Sequence, residues 1–569
     1  MSIPIGLEYN PTEDPSLRMQ YLDEMGLQEA FPPEEMQEEL FLIYFDQVHP
    51  CIPMINKTRF LAARRLGLNG PSIFALQYAM WSIAASVSPK YGRLCEVFLQ
   101  RARKYTEQIE LDGIGEPQIT IYDAQSWCLI ANVEARRMHI TRAWTSTGNC
   151  VRLVHLMGLH CVDRLGVYGT RFLPPTDDFI ELEERRRTFW AAYMCDRWNS
   201  ALGGWPMTIR ENGICTDLPT SEASFDCGYE EATVSLAKAI AEGGASNILS
   251  SFSGVILATT LMAREYNHIQ QGAKFEHSRR GSDEEFWKKH RELDNSLSNT
   301  LMYLPERFKV AHELRDPNVV FLGIALQAAT ICLHRTVINR SMNPQVYSSI
   351  VSQSMTRCTA AAHAITNTIR LVSRQNMSRM SPWTGFCLYV AGFVYCHSLE
   401  SSHLPNRDDI LDAAFVLATM REIGTCHPIT EFFSARLELE MDSVQGKFYR
   451  TGKQGSEMQK TSDEHHYSHD PSLSSQPSET KTHFWRSLSV EERAILSQKV
   501  LLSKPLDGIL AYNGFLLRNT SQANGGSVTT SFDSSLDRFP GHQMPTSQSS
   551  ISLDAEYTER SYRFATSPT

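Results

Sequence analysis

Apolar and aromatic residues recur at three- and four-residue spacing from about residue 37 to about residue 445, and then the pattern stops. In RAWTSTGNCVRLVHLMGLH, Thr147, Val151, Val154 and Met157 or Gly158 fall on one face of a helix, and Gly158 is placed to end it. VVFLGIALQAATICLHRTVINR and DDILDAAFVLATMREIG show similar spacing. There is no long β-branched alternation with hairpin turns, and no fixed-period repeat of the tetratricopeptide or ankyrin type. An all-α fold follows, as one helical domain or two tightly packed ones. The apolar runs IFALQYAMWSIAASV and FCLYVAGFVYC are shorter than the ~20 residues a spanning helix needs, so both are expected as buried core helices and no membrane partner is expected.

Composition divides the chain into four parts. Residues 1–36 form an acidic lead whose one basic residue is Arg18. Its stretch YLDEMGLQEAFPPEEMQEEL suits an activation segment, a helix that folds on a partner, or a solvated entry into the first helix. Residues 37–225 and 226–445 are two helical halves. Residues 446–569 are rich in Ser, Thr, Gln, Gly and Pro and are expected to be mostly disordered, because they cannot bury enough apolar surface to offset ordering entropy. One short helix is expected there, near 489–503, where Ser489 and Glu492 make a capping-box pattern and Pro505 stops it.

The formal net charge of -10 over 569 residues disfavours unaided nucleic-acid binding. The N-terminus has neither a secretory nor a mitochondrial pattern. The thirteen cysteines include no C-x-x-C pair, which points to free, mostly buried thiols in a reducing compartment. No G-x-S-x-G elbow, H-E-x-x-H, P-loop or dinucleotide fingerprint is present, so an enzyme is the remote alternative. No catalytic, cofactor-binding, metal or DNA-binding residue is assigned. His465, His466 and His469 could ligate a metal, but a chance cluster in the tail explains them better. His155, His160, His334 and His363 are expected to be packed or capped.

The run ELEERRRTFWAAYMCDRWNSALGGWP holds three adjacent arginines. Asp178 and Glu181 form a plausible helix start, and Gly203, Gly204 and Pro206 end the element. Leu182, Phe189, Trp190, Tyr193, Met194 and Trp198 gather on one broad face. Arg185, Arg186 and Arg187 spread over roughly 200° of the circumference and cannot form one phosphate-tracking row. Arg186 falls in the aromatic stripe near Trp190 and Tyr193, as does Arg197. Glu183 is placed for ion pairs with Arg186 and Arg187. Packing therefore explains the run better than DNA contact or an import signal, and Arg186 is expected to matter for stability.

These same residues carry a resemblance. ELFLIYFDQVHPCIPMINKTRFL, with His49, Pro50 and Pro53, resembles the opening helix and HP-x-x-P turn of the fungal-specific transcription factor domain, also called the middle homology region. RAW at Arg142–Trp144 and RLVHLMGLH, with Gly158 and His160, resemble its second block. EERRRTFWAAYMCDRW resembles its hallmark helix, with Glu183, Arg186, Trp190, Asp196 and Arg197. GGWPMTIRENGICTDLP, with Pro206, resembles the turn and strand-like segment that follow. YLPERFK and LHRTVINR resemble later segments. The resemblance covers roughly residues 37–440 and implies an all-α fold, a nuclear location and transcriptional regulation, with a biosynthetic gene cluster as the expected target. The family's six-cysteine zinc cluster has no counterpart here, since the first cysteine is Cys51. Zinc is therefore not expected as a cofactor of this chain. Either an upstream segment is missing, or promoters are reached through a DNA-binding partner. The transcription machinery or another regulator, and a homo- or heterodimer, are the other expected partners. A protein that modulates another regulator without touching DNA is the alternative. Where many members have a basic residue before the proline of the glycine turn, this chain has Trp205, which alters either a surface or an internal contact.

Overall fold

The computed structural model describes residues 31–66, 70–111, 119–164, 173–275, 283–309, 316–340, 344–372, 374–377, 379–401 and 407–457. Among them there are helices and connecting turns and no strand. The first half contains α1 (Glu34–Ile43), α2 (Lys57–Arg65), α3 (Pro71–Val87), α4 (Cys95–Leu111), α5 (Ile121–Arg136), α6 (Ile140–Leu156) and α7 (Phe179–Gly203). Two short helices follow, α8 (Glu222–Cys227) and α9 (Leu236–Ala241). The second half contains α10 (Ser251–Phe275), α11 (Asp283–Tyr303), α12 (Pro317–Arg340), α13 (Pro344–Leu371), α14 (Arg374–Met377), α15 (Thr384–Ser401), α16 (Arg407–Gly424) and α17 (Pro428–Glu457).

Local chemistry sets the helix ends. Thr120 and Asp123 form a capping box at the start of α5. Gly158, at φ 74°, takes the left-handed conformation just past α6. The Asp178 side chain accepts from the Glu181 backbone N–H at 3.1 Å and so caps α7. Gly204, at φ 75°, ends that helix.

One hydrophobic cluster runs from Leu40 to Leu437, through both halves. α7 packs on α5 and α6 on one side and on α10 on the other, and α17 reaches back to α5. The two apolar runs are core helices as expected: Ala75–Ala85 of α3 and Thr384–Gly392 of α15 are buried without a break. Unlike those two, Pro317–Asn339 of α12 is long and apolar enough to cross a membrane, a feature the sequence reading did not single out. It is mostly buried, between α10, α13 and α15, in the manner of a core helix.

Several expectations are corrected. The body begins inside the acidic lead, because α1 starts at Glu34 and Phe31 already packs on Phe74 and Tyr78 at 5.1 and 5.9 Å. Pro33 precedes that helix, and Glu34 and Glu35 sit in its first turn, where carboxylates favour the positive helix end. At the other end α17 continues to Glu457, past the boundary set at 445. The segment after α7 is extended in places but forms no strand, because its backbone serves the side chains of α7 instead of a ladder. The one-sided face read for α7 is also too narrow, since every residue from Glu183 to Ser200 is buried. The expected helix near 489–503, the 465–469 histidines, the rest of the tail and residues 1–30 lie outside the described residues.

Candidate functional site

The site built by the hallmark helix is an internal network of arginines and carboxylates. Arg187 is fully buried, and all five of its N–H groups are used. Its Nε donates to Glu183 at 2.8 Å. Its Nη1 donates to the Pro53 carbonyl at 3.0 Å and to Glu222 at 2.8 Å. Its Nη2 donates to the Thr220 and Ser221 carbonyls at 2.8 and 3.3 Å. The guanidinium lies 4.3 Å from the Phe225 ring centre. Burial works against its charge, but Glu222 and Glu183 outweigh that and hold its pKa above the ordinary value. One side chain thus ties the HP-x-x-P turn, α7 and the segment after the glycine turn together.

Arg186 is held by carboxylates. Its Nε donates to both oxygens of Asp163 at 3.0 Å, and its Nη1 donates to Glu183 at 3.2 Å. Asp163 also accepts from the Asp217 backbone N–H at 2.8 Å. The expected ion pairs of Glu183 with Arg186 and Arg187 are both present, and Glu183 accepts the Thr220 N–H at 2.9 Å as well. Arg197 lies in the aromatic stripe as expected, 4.0 Å over Tyr193, while Arg187 lies over Phe225 of α8 and Arg186 turns to Asp163. The reason is reach. Residues 161–163 pass beside the first turns of α7 and present Asp163 to Arg186. Arg185 turns to Glu181 at 2.6 Å and to the Pro174 carbonyl at 2.7 Å.

The remaining signature residues sit in the same framework. Arg197 pairs with Asp196 and donates to the Ile209 carbonyl at 2.6 Å, while Asp196 accepts the Thr208 and Ile209 N–H groups at 3.0 Å. Trp190 Nε1 donates to the Asp217 carbonyl at 2.8 Å. The His160 carbonyl accepts from Cys215 N–H at 2.7 Å, and the rings of His155 and His160 lie 4.9 Å apart. Ser200 Oγ donates to the Pro206 carbonyl at 3.1 Å. Trp144 Nε1 donates to Ser200 Oγ at 3.3 Å, and the Trp144 ring lies 5.0 Å from that of Trp205. Trp205 therefore makes an internal contact. Its ring covers Gly203, where an added Cβ would fall 2.1 Å from it. Arg142 belongs to a second knot around buried Glu134, which also takes Arg103 and Ser146.

Glu184, next to Glu183, has a different environment. It is buried and accepts only long bonds, from Asn56 N–H and Gln125 Nε2, both at 3.3 Å. Burial pushes its pKa up from 4.5 to about 7. Nothing in the helical periodicity marked it, nor Asp163, as distinct.

The thirteen cysteines are free and ten are buried, as expected. His334 contacts Ser354 at 3.3 Å and His363 contacts Asp412 at 3.0 Å, both structural partners. Among the described residues no group of three His, Cys, Asp or Glu could hold a metal ion.

These contacts define an all-helical domain organised around one buried, arginine-bearing helix. A family model described as the fungal specific transcription factor domain matches residues 42–301 of the chain. The chain is 32% identical over 352 residues to the pigment biosynthesis transcriptional activator pigB of Monascus ruber, covering 61% of this chain and 63% of that protein. It is 33% identical to the citrinin biosynthesis transcriptional activator mrl3 of Monascus ruber, covering 53% and 58%. It is 29% identical to the transcription factor tazR of Aspergillus terreus, covering 71% and 62%. The matched stretches thus span less than two thirds of these relatives' own lengths. No solved structure matches the chain.

Proposed function

We propose that the protein is a nuclear regulator of transcription that controls a secondary-metabolite biosynthetic gene cluster, and that it is not an enzyme. The observation that carries this is its similarity to proteins named as activators of pigment and citrinin biosynthesis. The geometry supports a scaffold role for the hallmark helix. Its arginines face carboxylates and carbonyls inside the protein, leaving no row of cations along α7 to follow phosphates. DNA contact is then supplied by a DNA-binding partner or by an element outside the described residues, with zinc belonging to that element and not to the helical body. The transcription machinery, another regulator or a second copy of the chain are the remaining partners.

Deleting the gene in its organism of origin should lower transcripts of one contiguous set of biosynthetic genes. Unchanged transcripts across all such sets would overturn the reading. The 569-residue chain, titrated with genomic fragments at physiological salt, should bind weakly and lose binding as salt rises. Nanomolar, sequence-selective binding without a partner would overturn the second part.

A further inference from the structure

α5 and α7 meet along a seam that holds two of the free thiols. The Sγ atoms of Cys128, on α5, and Cys195, on α7, lie 3.5 Å apart. They are 67 positions apart in the chain, so no local motif announces the pair. Cys128 is fully buried. Cys195 is 7% exposed and lines a cleft that α5 and α7 form with α10, α12 and residues 381–383. The free space there is about 40 Å³, room for a few water-sized molecules and no more. Asn132 lines the same cleft, and its Nδ2 donates to Cys195 Sγ at 3.1 Å and to the Cys128 carbonyl at 2.9 Å. A third thiol nearby, Cys150 of α6, is fully buried and donates to the Ala124 carbonyl at 3.3 Å.

Two features make Cys128 and Cys195 a pair that can react. A disulfide needs about 2.05 Å between its sulfurs, so closure asks for about 1.5 Å of sulfur movement, which side-chain rotation supplies. Hydrogen peroxide is close to water in size, so the cleft admits it where an organic ligand would not fit. The sulfur contact with Cys128, followed by burial, pushes the Cys195 thiol well above its ordinary range, against the Asn132 donor. Both groups therefore rest as thiols at neutral pH and oxidise slowly, without the speed of a low-pKa sensor.

We propose that Cys195 and Cys128 form a peroxide-responsive dithiol, whose oxidation to a disulfide locks α5 to α7. The Cys195 sulfur attacks one oxygen of hydrogen peroxide, the O–O bond breaks, and S–H becomes S–OH with release of one water. The Cys128 sulfur then attacks the Cys195 sulfur, the S–OH bond breaks, and the hydroxide leaves with the Cys128 proton as a second water. Two thiols lose two electrons, and one peroxide is reduced to two waters. The new bond closes the chain between residues 128 and 195 and so restricts the unfolded state. The site does not rest on the protein's role in transcription.

The test exposes the folded full chain to hydrogen peroxide at pH 8, then blocks remaining thiols with N-ethylmaleimide in denaturant and maps the peptides by mass spectrometry. A Cys128–Cys195 disulfide should appear, two hydrogens lighter than the dithiol and reversed by dithiothreitol. It should exceed any other bond to a buried cysteine at least tenfold. In Cys128→Ala, dimedone added with the denaturant should mark a sulfenic acid at Cys195. In Cys195→Ala, the Cys128 thiol should stay free. The oxidised parent should unfold at higher urea than the reduced one. Cys227, which is exposed, reports that peroxide has acted. Free thiols at both positions once Cys227 is oxidised, a Cys128–Cys150 bond in place of Cys128–Cys195, or an oxidised chain no harder to unfold than the reduced one would each overturn the proposal. The parent's map and urea midpoints decide alone if the variants do not fold.

Discussion

α7 and α15 are both buried, and they achieve it by opposite means. Glu183–Ser200 of α7 carries Glu183, Glu184, Arg185, Arg186, Arg187, Asp196 and Arg197, all buried. Thr384–Cys396 of α15 carries no charge at all. α15 is held by apolar transfer and close packing, and Gly392 lets it approach α17 so nearly that a Cβ there would meet Leu437 at 2.5 Å. α7 is held largely by pairing, in which a named charged partner answers every one of these charges but that of Glu184. The first kind of burial tolerates exchange of one apolar shape for another. The second fails when a single partner is lost.

The largest expected effect tests that contrast at its centre. Arg187→Ala leaves Glu183 buried beside one remaining arginine and removes the guanidinium donors to the Pro53, Thr220 and Ser221 carbonyls and to Glu222. A loss of about 3–5 kcal/mol is expected, read from urea unfolding. An unchanged midpoint would mean that α7 is held like α15, by packing alone.

Next comes Glu184, the carboxylate that pairing did not reach. Its folded pKa, about 7, lies above the ordinary 4.5, so the folded state keeps the proton longer than the unfolded chain. Stability from this group is therefore full below pH 4.5 and falls as pH rises to about 7. The span corresponds to roughly 3 kcal/mol. Glu184→Gln, a neutral mimic of the protonated form, should match the parent near pH 4.5 and exceed it at pH 8. Melts at both values decide the matter, and a parent-minus-variant difference that does not change with pH would refute the assignment.

Arg186→Ala should cost about 1–3 kcal/mol, less than Arg187→Ala, because Asp163 is nearer to solvent and keeps the Asp217 N–H. A melting temperature equal to the parent's would remove Arg186 from the network. Leu388→Met, in the middle of α15, should cost less than about 1.5 kcal/mol, since volume is nearly kept. A larger loss in chemical melts would show α15 to be as exacting as α7.

The local half of this contrast is legible in the chain. The Asp178 cap, the Gly158 terminus and the Glu183 pairs all lie within four residues of their partners, so helical spacing reveals them. The rest is not, for a physical reason. Arg187 reaches Pro53 across 134 positions, and Arg186 reaches Asp163 across 23. Periodicity reports which face a residue occupies, and says nothing about which loop will pass there. Helical spacing therefore sets Arg186 among the aromatics without disclosing the Asp163 carboxylate that it binds. Trp205 shows the same limit: its contact with Trp144 depends on how the chain turns after Gly204.

The smallest effect supplies the control. Arg59 Nη1, on α2, pairs with Asp178 Oδ2, at the cap of α7, at 2.9 Å, close to the distances found around Arg187. Its side chain is 39% exposed and that of Asp178 is 49% exposed, where those of Arg187 and Glu183 are both at 0%. Water answers either charge when the pair is broken, so Arg59→Ala should cost no more than about 1 kcal/mol. Asp178 keeps its capping bond to Glu181 N–H, and α7 should still start where it does. The cost should also shrink as salt is added, because exposed charges are screened while the buried network is not. Guanidinium chloride would mask this, so the comparison belongs in urea at low and high sodium chloride. Equal losses for Arg59→Ala and Arg187→Ala would show that geometry alone, and not burial, sets the strength of these pairs.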